Sequence, residues 1–325
     1  MSTILNVLIG VLAVGAAVFL NYPAPPQSPI VYQWQSPGKF MQYKEKNIFY
    51  KDELGNGTGT VLCLHGFPTS SFDWYKLWPA LKRKFGRVVA LDFLGLGFSD
   101  KPRFHKYSIF EQASIVEELL QTLQTNKVHI LAHDYGDTVA QELIARHLDA
   151  AEEKKNYVNV MSLCLLNGGI FPAKHHPRLM QRILVLPLVG TILSKFINYY
   201  VFRNALGEVF GPETWPTTAE FRDFWGIIRH NDGYRVLGSL LSYLEERKTN
   251  EERWVGGLQK TVLPVHVIYG PADPVNPPEF IEYYRAVIPK PSMTVLPENI
   301  GHYPQLEAPE ATADAYISFL ETISS

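Results

Sequence analysis

Short apolar runs alternate with helical patterns along most of the chain. After a hairpin-like stretch, "KFMQYKEKNIFYKDE", with alternation around Phe40, Ile48 and Tyr50, come the buried strand "GTVLCLHG", the helical "SSFDWYKLWPALKRKF" and the strand "RVVALDFLG". "SIFEQASIVEELLQTLQ" reads as a helix, "KVHILAHD" as a strand, "DTVAQELIARHL" as a helix and "VNVMSLCLLNGG" as a strand. Apolar strands interleaved with amphipathic helices predict a mostly parallel sheet with helices on both faces, and the hairpin adds antiparallel strands at one edge. The alternation stops after Gly169. From Ile170 to about Gly257 only helical and loop patterns occur, and strand resumes at "LPVHVIYG". A helix near 278–287, a strand at 293–296 and a last helix near 310–320 complete the pattern. The expected organisation is therefore a core of residues 39–169 and 258–325 with a helical cap, 170–257, inserted over the carboxyl ends of the strands, where open α/β sheets bind ligands.

The first residues differ from the rest. "ILNVLIGVLAVGAAVFL", residues 4–20, is apolar apart from Asn6 and two glycines, and no Lys or Arg precedes Lys39. The run reaches the lower end of the ~17–25 residues that span a bilayer and lacks the basic start of a cleaved signal, so a retained transmembrane anchor is expected. The Pro-rich stretch behind it, within residues 21–38, reads as a stiff spacer. Positive charge lying C-terminal to the anchor favours a cytosol-facing body. Asn56-Gly57-Thr58 is a glycosylation sequon that matters only if the body faces a lumen.

Composition removes some alternatives. The 325 residues are 46% hydrophobic and 19% charged, with a net charge of -2. That fits a large globular core, and no basic stripe suggests nucleic acid as a partner. Cys63 and Cys164 lie in strand-like runs and read as buried small hydrophobes. His175-His176 lacks helical metal-ligand spacing and reads as loop; no metal or cofactor is expected, and oligomeric state is not legible. "DFLGLGFSD" lacks the order of glycines that cradles a dinucleotide and reads as a loop shaping a pocket floor.

The chemistry concentrates at "LAHDYGDTVA". Here a strand turns sharply into a helix at Asp134, with small residues Ala132 and Gly136 two positions to either side, the spacing of a nucleophile elbow with Asp in place of Ser. On this stretch alone a plain helix N-cap is an equal reading. Three further stretches, each just after a predicted strand, shift the balance: "HGFPTS" (His65 to Ser70), "GPADPVN" with Asp273, and "NIGHYPQLE" with His302. Nucleophile, acid and histidine follow in the order of the α/β-hydrolases.

The motifs "HGFPTS", "DFLGLGFSDKP", "HDYGD" and "GHYPQLE" resemble those of α/β-hydrolases with an aspartate nucleophile, notably epoxide hydrolases and haloalkane dehalogenases. "SLCLLNGGIFP" and "YGPADPVNP" further resemble the mesoderm-specific transcript family. The likeness runs from about Lys39 to the C-terminus. It implies a membrane-associated hydrolase of the endoplasmic reticulum and does not supply the substrate; the expected reaction is epoxide-hydrolase-like, on a small lipophilic molecule. Asp134, anionic at neutral pH without help from a base, attacks carbon and forms an ester. His302, oriented by Asp273, activates water, and the N–H groups of Phe67 and Tyr135 form the oxyanion hole. Asn167, where some relatives carry the acid, is no acid. Dehalogenases place Trp after the nucleophile; Tyr135 there disfavours halide. Epoxide opening calls for a cap acid, and Tyr199, Tyr200, Tyr234 and Tyr243 are the candidates, with Asn231 of "RHNDGYR" as a polar contact or a simple turn. Two other functions stay open: a non-catalytic relative that binds a lipid or protein, and an acyl transferase or esterase.

Overall fold

The computed structural model describes residues 2–20, 22–155, 157–186 and 189–324. Its strands are β1 (Lys39–Tyr43), β2 (Lys46–Leu54), β3 (Thr60–Leu64), β4 (Arg87–Leu91), β5 (Lys127–His133), β6 (Asn159–Leu166), β7 (Val265–Tyr269) and β8 (Met293–Val295). They form one sheet in the order β1-β2-β4-β3-β5-β6-β7-β8. β1 and β2 pair antiparallel at one edge, and every pair from β4 onward is parallel. The central strands are buried on both faces, which is why they read as continuous apolar runs.

The helices, in chain order, are α1 (Ser2–Leu20), α2 (Pro29–Gln35), α3 (Trp78–Lys84), α4 (Ile109–Thr122), α5 (Tyr135–Glu152), α6 (Leu179–Leu184), α7 (Val189–Ser194), α8 (Tyr199–Gly207), α9 (Thr218–Arg229), α10 (Leu237–Leu240), α11 (Tyr243–Thr249), α12 (Glu251–Lys260), α13 (Glu279–Val287), α14 (Pro304–Glu307) and α15 (Pro309–Ser324). Helices α6 to α12 all fall between β6 and β7, and no described residue there is in a strand. This insertion is tied to the core at Glu142 of α5. The Glu142 carboxylate, 1% exposed, accepts from Arg146, Arg253 and the Trp254 indole, the last two on α12.

Two expectations change. The helix expected across "SSFDWYKLWPALKRKF" is split into a 3₁₀ turn, Ser71–Trp74, and α3, because Pro79 lacks the N–H that a continuous helix needs and fits only the first turn of a new one. The spacer is also no spacer. Asn21, which opens it, lies outside the described residues, but residues 29–35 form α2. Ser28 caps it by accepting from the Val31 N–H, and Pro29 sits at its start. Val31 and Trp34, one helical turn apart, are buried. Trp34 packs edge-on against Trp78 at 5.0 Å, its indole N–H donates to Ser71 Oγ, and Lys51 lies 4.8 Å over its ring.

The expected membrane-spanning segment also needs correcting. Among the described residues no helix is long and apolar enough to cross a membrane. Residues 2–20 do form a helix, 19 residues and so about 28 Å long, just under the ~30 Å hydrocarbon core of a bilayer. Ile4, Leu5, Val7, Leu8, Ile9, Val11, Leu12, Val14 and Val18 are all exposed on it.

Candidate active site

β5 enters the elbow at His133, and α5 leaves it at Tyr135. Between them Asp134 takes φ 48° and ψ -103°, a conformation that costs a non-glycine residue energy and aims its side chain above the sheet. Asp134 occupies the N-cap position of α5, yet its side chain makes no capping bond. The plain N-cap reading therefore fails. Gly136 shows why the neighbours must be small: a Cβ there would meet Leu64 O at 2.4 Å and His65 O at 2.8 Å.

Asp134, Asp273 and His302 meet at the carboxyl ends of β5, β7 and β8. His302 Nδ1 lies 2.9 Å from Asp273 Oδ2, and its Nε2 lies 3.9 Å from Asp134 Oδ1. The other oxygen, Asp134 Oδ2, accepts from the Phe67 N–H at 3.1 Å. Tyr135 is the first residue of α5, so its N–H has no acceptor within the helix. Asn167 is a helper of the acid: its Nδ2 donates to Asp273 Oδ2 at 3.0 Å and to Gly270 O. Asn276 Nδ2 and the Val275 N–H complete the shell of donors around Asp273.

The electrostatics follow from this packing. Burial pushes Asp134 upward, but the neighbouring His302 and Arg247 charges outweigh it and hold the carboxyl below the usual range. Asp273 is likewise held down, burial being overcome by His302 and by the donors of Asn167 and Asn276. Burial pulls His302 down, but Asp273 foremost, and then Asp134, raise it to about 9. At neutral pH the resting site thus holds two carboxylates and one imidazolium.

Several residues at the site were not singled out from the sequence. Arg247 of α11, 2% exposed, reaches down from the cap: Nη2 lies 3.7 Å from Asp134 Oδ1 and donates to the Asp134 carbonyl, while Nε donates to Thr138 Oγ1 at 2.7 Å. Its Nη1 lies 3.4 Å from His175 Nδ1, so the loop histidine touches the site through Arg247. His133 Nε2–H donates to the His302 carbonyl at 2.8 Å and braces the His302 loop; burial holds its ring neutral. Glu307 accepts from the Gly301, Tyr303 and Gly211 amides and so joins the His302 loop to the cap.

Of the cap candidates, the structure brings only Tyr243 to the elbow. Its ring lies 5.0 Å from Tyr135 and 6.2 Å from Phe67, Arg247 lies 4.5 Å over it, and its buried hydroxyl has no hydrogen-bond partner in the structure. Tyr199 and Tyr200 pack on each other, Tyr200 exposed, and Tyr234 is stacked beneath Arg229; none lines the cavity described next. Asn231 lies in an outer groove with Tyr22 and Pro23, its φ of 49° marking a turn. The Asp92–Asp100 loop is not the pocket floor either: Asp92 accepts from the Ser71 and Phe98 amides and folds the loop onto itself. The cavity, about 80 Å³, runs from Phe67, His302 and Tyr303 into the cap between Leu184, Val201 and Leu206.

A mostly parallel sheet with a carboxylate at a strand-to-helix elbow, and a second carboxylate and a histidine beyond the ends of β7 and β8, is the arrangement of an α/β-hydrolase, and the α/β-hydrolase fold profile matches residues 59–309. The chain belongs to that family. Within it, the chain stands with the mesoderm-specific transcript proteins: it is 49% identical to the mouse mesoderm-specific transcript protein over 323 residues, covering 97% of this chain and 96% of that one. Among solved structures, a haloalkane dehalogenase from Bradyrhizobium elkani, DbeA, superposes with a TM-score of 0.73 at 21% identity, over 88% of this chain and 98% of that one. The epoxide hydrolase CorEH gives 0.69 at 21% identity, over 88% and 99%. At such identities these two share the fold.

Proposed function

We propose that this α/β-hydrolase acts through a covalent ester on Asp134, opening epoxides or related electrophiles on small lipophilic molecules. The observation that carries the reading is His302 set between Asp273 and Asp134, with the Phe67 N–H on the second Asp134 oxygen. Asp134 Oδ1 attacks carbon, the carbon–oxygen bond of the epoxide breaks, and its electron pair stays on the departing oxygen. Tyr243, a cap hydroxyl beside the elbow, donates a proton to that oxygen. Water then attacks the Asp134 carbonyl carbon, the Phe67 and Tyr135 N–H groups hold the oxyanion, and His302 takes the proton of the water. His302, charged at rest, gives its proton back to the Tyr243 oxygen and so becomes the neutral base; the proton of the water charges it again. Collapse of the tetrahedral intermediate breaks the bond between the Asp134 carbonyl carbon and the substrate oxygen. That oxygen takes the proton of the new carboxyl and leaves as an alcohol, so that Asp134 is again ionised.

Membrane association forms part of this proposal. A helix apolar on every side is covered by protein or by lipid, and the exposed side chains of α1 are not covered by this chain. We place the protein at the cytosolic face of the endoplasmic reticulum membrane, with the exposed apolar side chains of α1 against lipid and without a crossing of the bilayer. Carbonate extraction tests the anchoring, and an endoglycosidase shift at Asn56 would overturn the orientation.

One observation favours a second reading, a non-catalytic binding module: Arg247 covers the very oxygen that has to attack. A single experiment separates the two. Turnover of an epoxide panel in ¹⁸O-water is expected to leave label in Asp134, detected by peptide mass spectrometry, and Asp134→Ala is expected to abolish turnover. Absence of label with every electrophile, together with function surviving Asp134→Ala, selects the binding module. Acyl transfer surviving Asp134→Asn selects an acyl transferase or esterase.

A further inference from the structure

The cap carries a surface that the catalytic reading does not use. Residues 170–207 hold Lys174, Arg178, Arg182, Lys195 and Arg203 and no Asp or Glu, although the whole chain is net negative. The same stretch exposes Leu179, Val185, Leu186, Val189, Ile192 and Leu193, on α6, α7 and the turn between them. Arg178 pairs with Glu208, Lys174 lies over Tyr283 and Arg203 over Phe221, which leaves Arg182 of α6 and Lys195 just after α7 beside the apolar face. Exposed apolar side chains next to basic ones, with no acidic residue between 170 and 207, are the pattern of a surface that lies in the headgroup layer of an anionic membrane. A protein partner of matching shape needs no such one-sided charge.

The position of this patch gives it a role. Leu184 of α6 and Val201 of α8 line the cavity that ends at Phe67 and His302, so α6, which exposes part of the patch, also roofs the cavity. The cavity is about 80 Å³, whereas sites for small ligands usually hold ~300–1,000 Å³, so the roof has to part to admit substrate.

We infer that the α6–α7 face of the cap docks on an anionic lipid bilayer, and that a lipophilic substrate passes from the bilayer between α6 and α8 to Asp134. This deepens the proposed function and rests on it for the substrate; the docking itself does not depend on the ester chemistry. The occupant is a lipid surface because the face is apolar beside Arg182 and Lys195, and that charge selects anionic lipids.

The test uses the full chain reconstituted in vesicles. Cys63 and Cys164 are buried, so an environment-sensitive fluorophore can be placed on Leu186→Cys, with Ile192→Cys as a second site should the first fold poorly. Val262→Cys, exposed just before β7 at the end of the sheet away from the cap, is the control. In phosphatidylcholine vesicles containing phosphatidylserine, the label at 186 or 192 is expected to shift to the blue and to be quenched by nitroxide lipid, while the label at 262 stays water-like. In phosphatidylcholine alone both stay water-like. Arg182→Ser with Lys195→Ser is expected to lower the docking equilibrium about 30-fold, roughly 2 kcal/mol for two basic residues. A water-like label at 186 and 192 in protein still held by the vesicles overturns the inference. So does an equal shift without phosphatidylserine, or a shift that follows the protein-to-lipid ratio, which marks a second copy of the chain as the occupant. Repeating the measurement on Asp134→Ala protein keeps this result separate from the fate of the catalytic proposal, since docking is expected unchanged there.

Discussion

Replacing Arg247 with Met tests the electrostatic reading of the site directly. The guanidinium is buried and lies 3.7 Å from Asp134 Oδ1. At an effective dielectric of ~20, two unit charges at that distance attract by roughly 4 kcal/mol. Removing one member of a buried pair typically costs about 3–5 kcal/mol, because the other charge is left in a site built for two. Met keeps much of the length and fills the space under Tyr243, so the loss is mainly electrostatic. Urea unfolding followed by tryptophan fluorescence at pH 7.5 should therefore show Arg247→Met less stable by about 3–5 kcal/mol.

The sign of the pH dependence is fixed by the direction of the Asp134 shift. A carboxylate held below its ordinary range contributes stability above the unfolded value of ~3.9 and loses it as pH falls through the folded value. Burial raises Asp134, and His302 and Arg247 lower it. Without Arg247 the carboxyl takes up its proton earlier as pH falls, so the gap between wild type and variant narrows in acid. Asp134→Asn should also be costly, since it strands Arg247, and the double variant should recover much of the loss. A difference under about 1 kcal/mol at pH 7.5, or costs that simply add in the double variant, would refute the pairing.

Three further outcomes follow from the packing and the protonation states. Trp34→Ala removes a buried indole that joins α2 to Trp78, and should cost about 3–5 kcal/mol by urea unfolding, whereas a true spacer residue would cost almost nothing. Gly136→Ala drives a Cβ into the Leu64 and His65 carbonyls, so soluble yield and melting temperature should both fall sharply; a variant melting within a degree of wild type would show the elbow to be looser than this. His302 is raised to about 9 from an ordinary ~6.5, so its contribution, on the order of 3 kcal/mol, is complete below about pH 6.5 and lost as pH rises through about 9. Wild-type stability should fall over that window, and His302→Gln should flatten the slope.

The features legible in the sequence were those that local pattern dictates. Strands buried on both faces appear as unbroken apolar runs, and an elbow advertises itself through Ala132 and Gly136, because close backbone approach excludes larger side chains. Features set by packing between distant segments were not legible. Arg247 lies in "SYLEERK", which reads as a solvated helical face; only the seating of α11 on the elbow turns it inward. The one available signal was Tyr243 and Arg247 at i and i+4, which places both on one side of the helix. Tyr199, Tyr200 and Tyr234 share the cap with Tyr243, and nothing in their residue type separates a tyrosine over the elbow from one on the surface. The Pro-rich composition around α2 concealed a capped helix whose evidence is Ser28 before Pro29 and two apolar residues one turn apart.

Arg247 also bears on how one histidine serves both halves of the proposed cycle. At rest the buried charges of Asp134, Asp273, His302 and Arg247 balance two against two, and His302 is held protonated by the carboxylates on either side. A protonated imidazole cannot act as base. Once Asp134 is esterified, one of the two charges that raise His302 is gone, while the Arg247 guanidinium stays in place and now opposes a second positive charge nearby. Both changes push His302 toward the neutral form at the step that needs it. Release of the ester restores the Asp134 charge and, with it, the resting imidazolium. On this account Arg247 is not merely an obstacle over the nucleophile. It slows the attack by shielding Oδ1, and it makes the ester the state in which His302 is ready to deprotonate water.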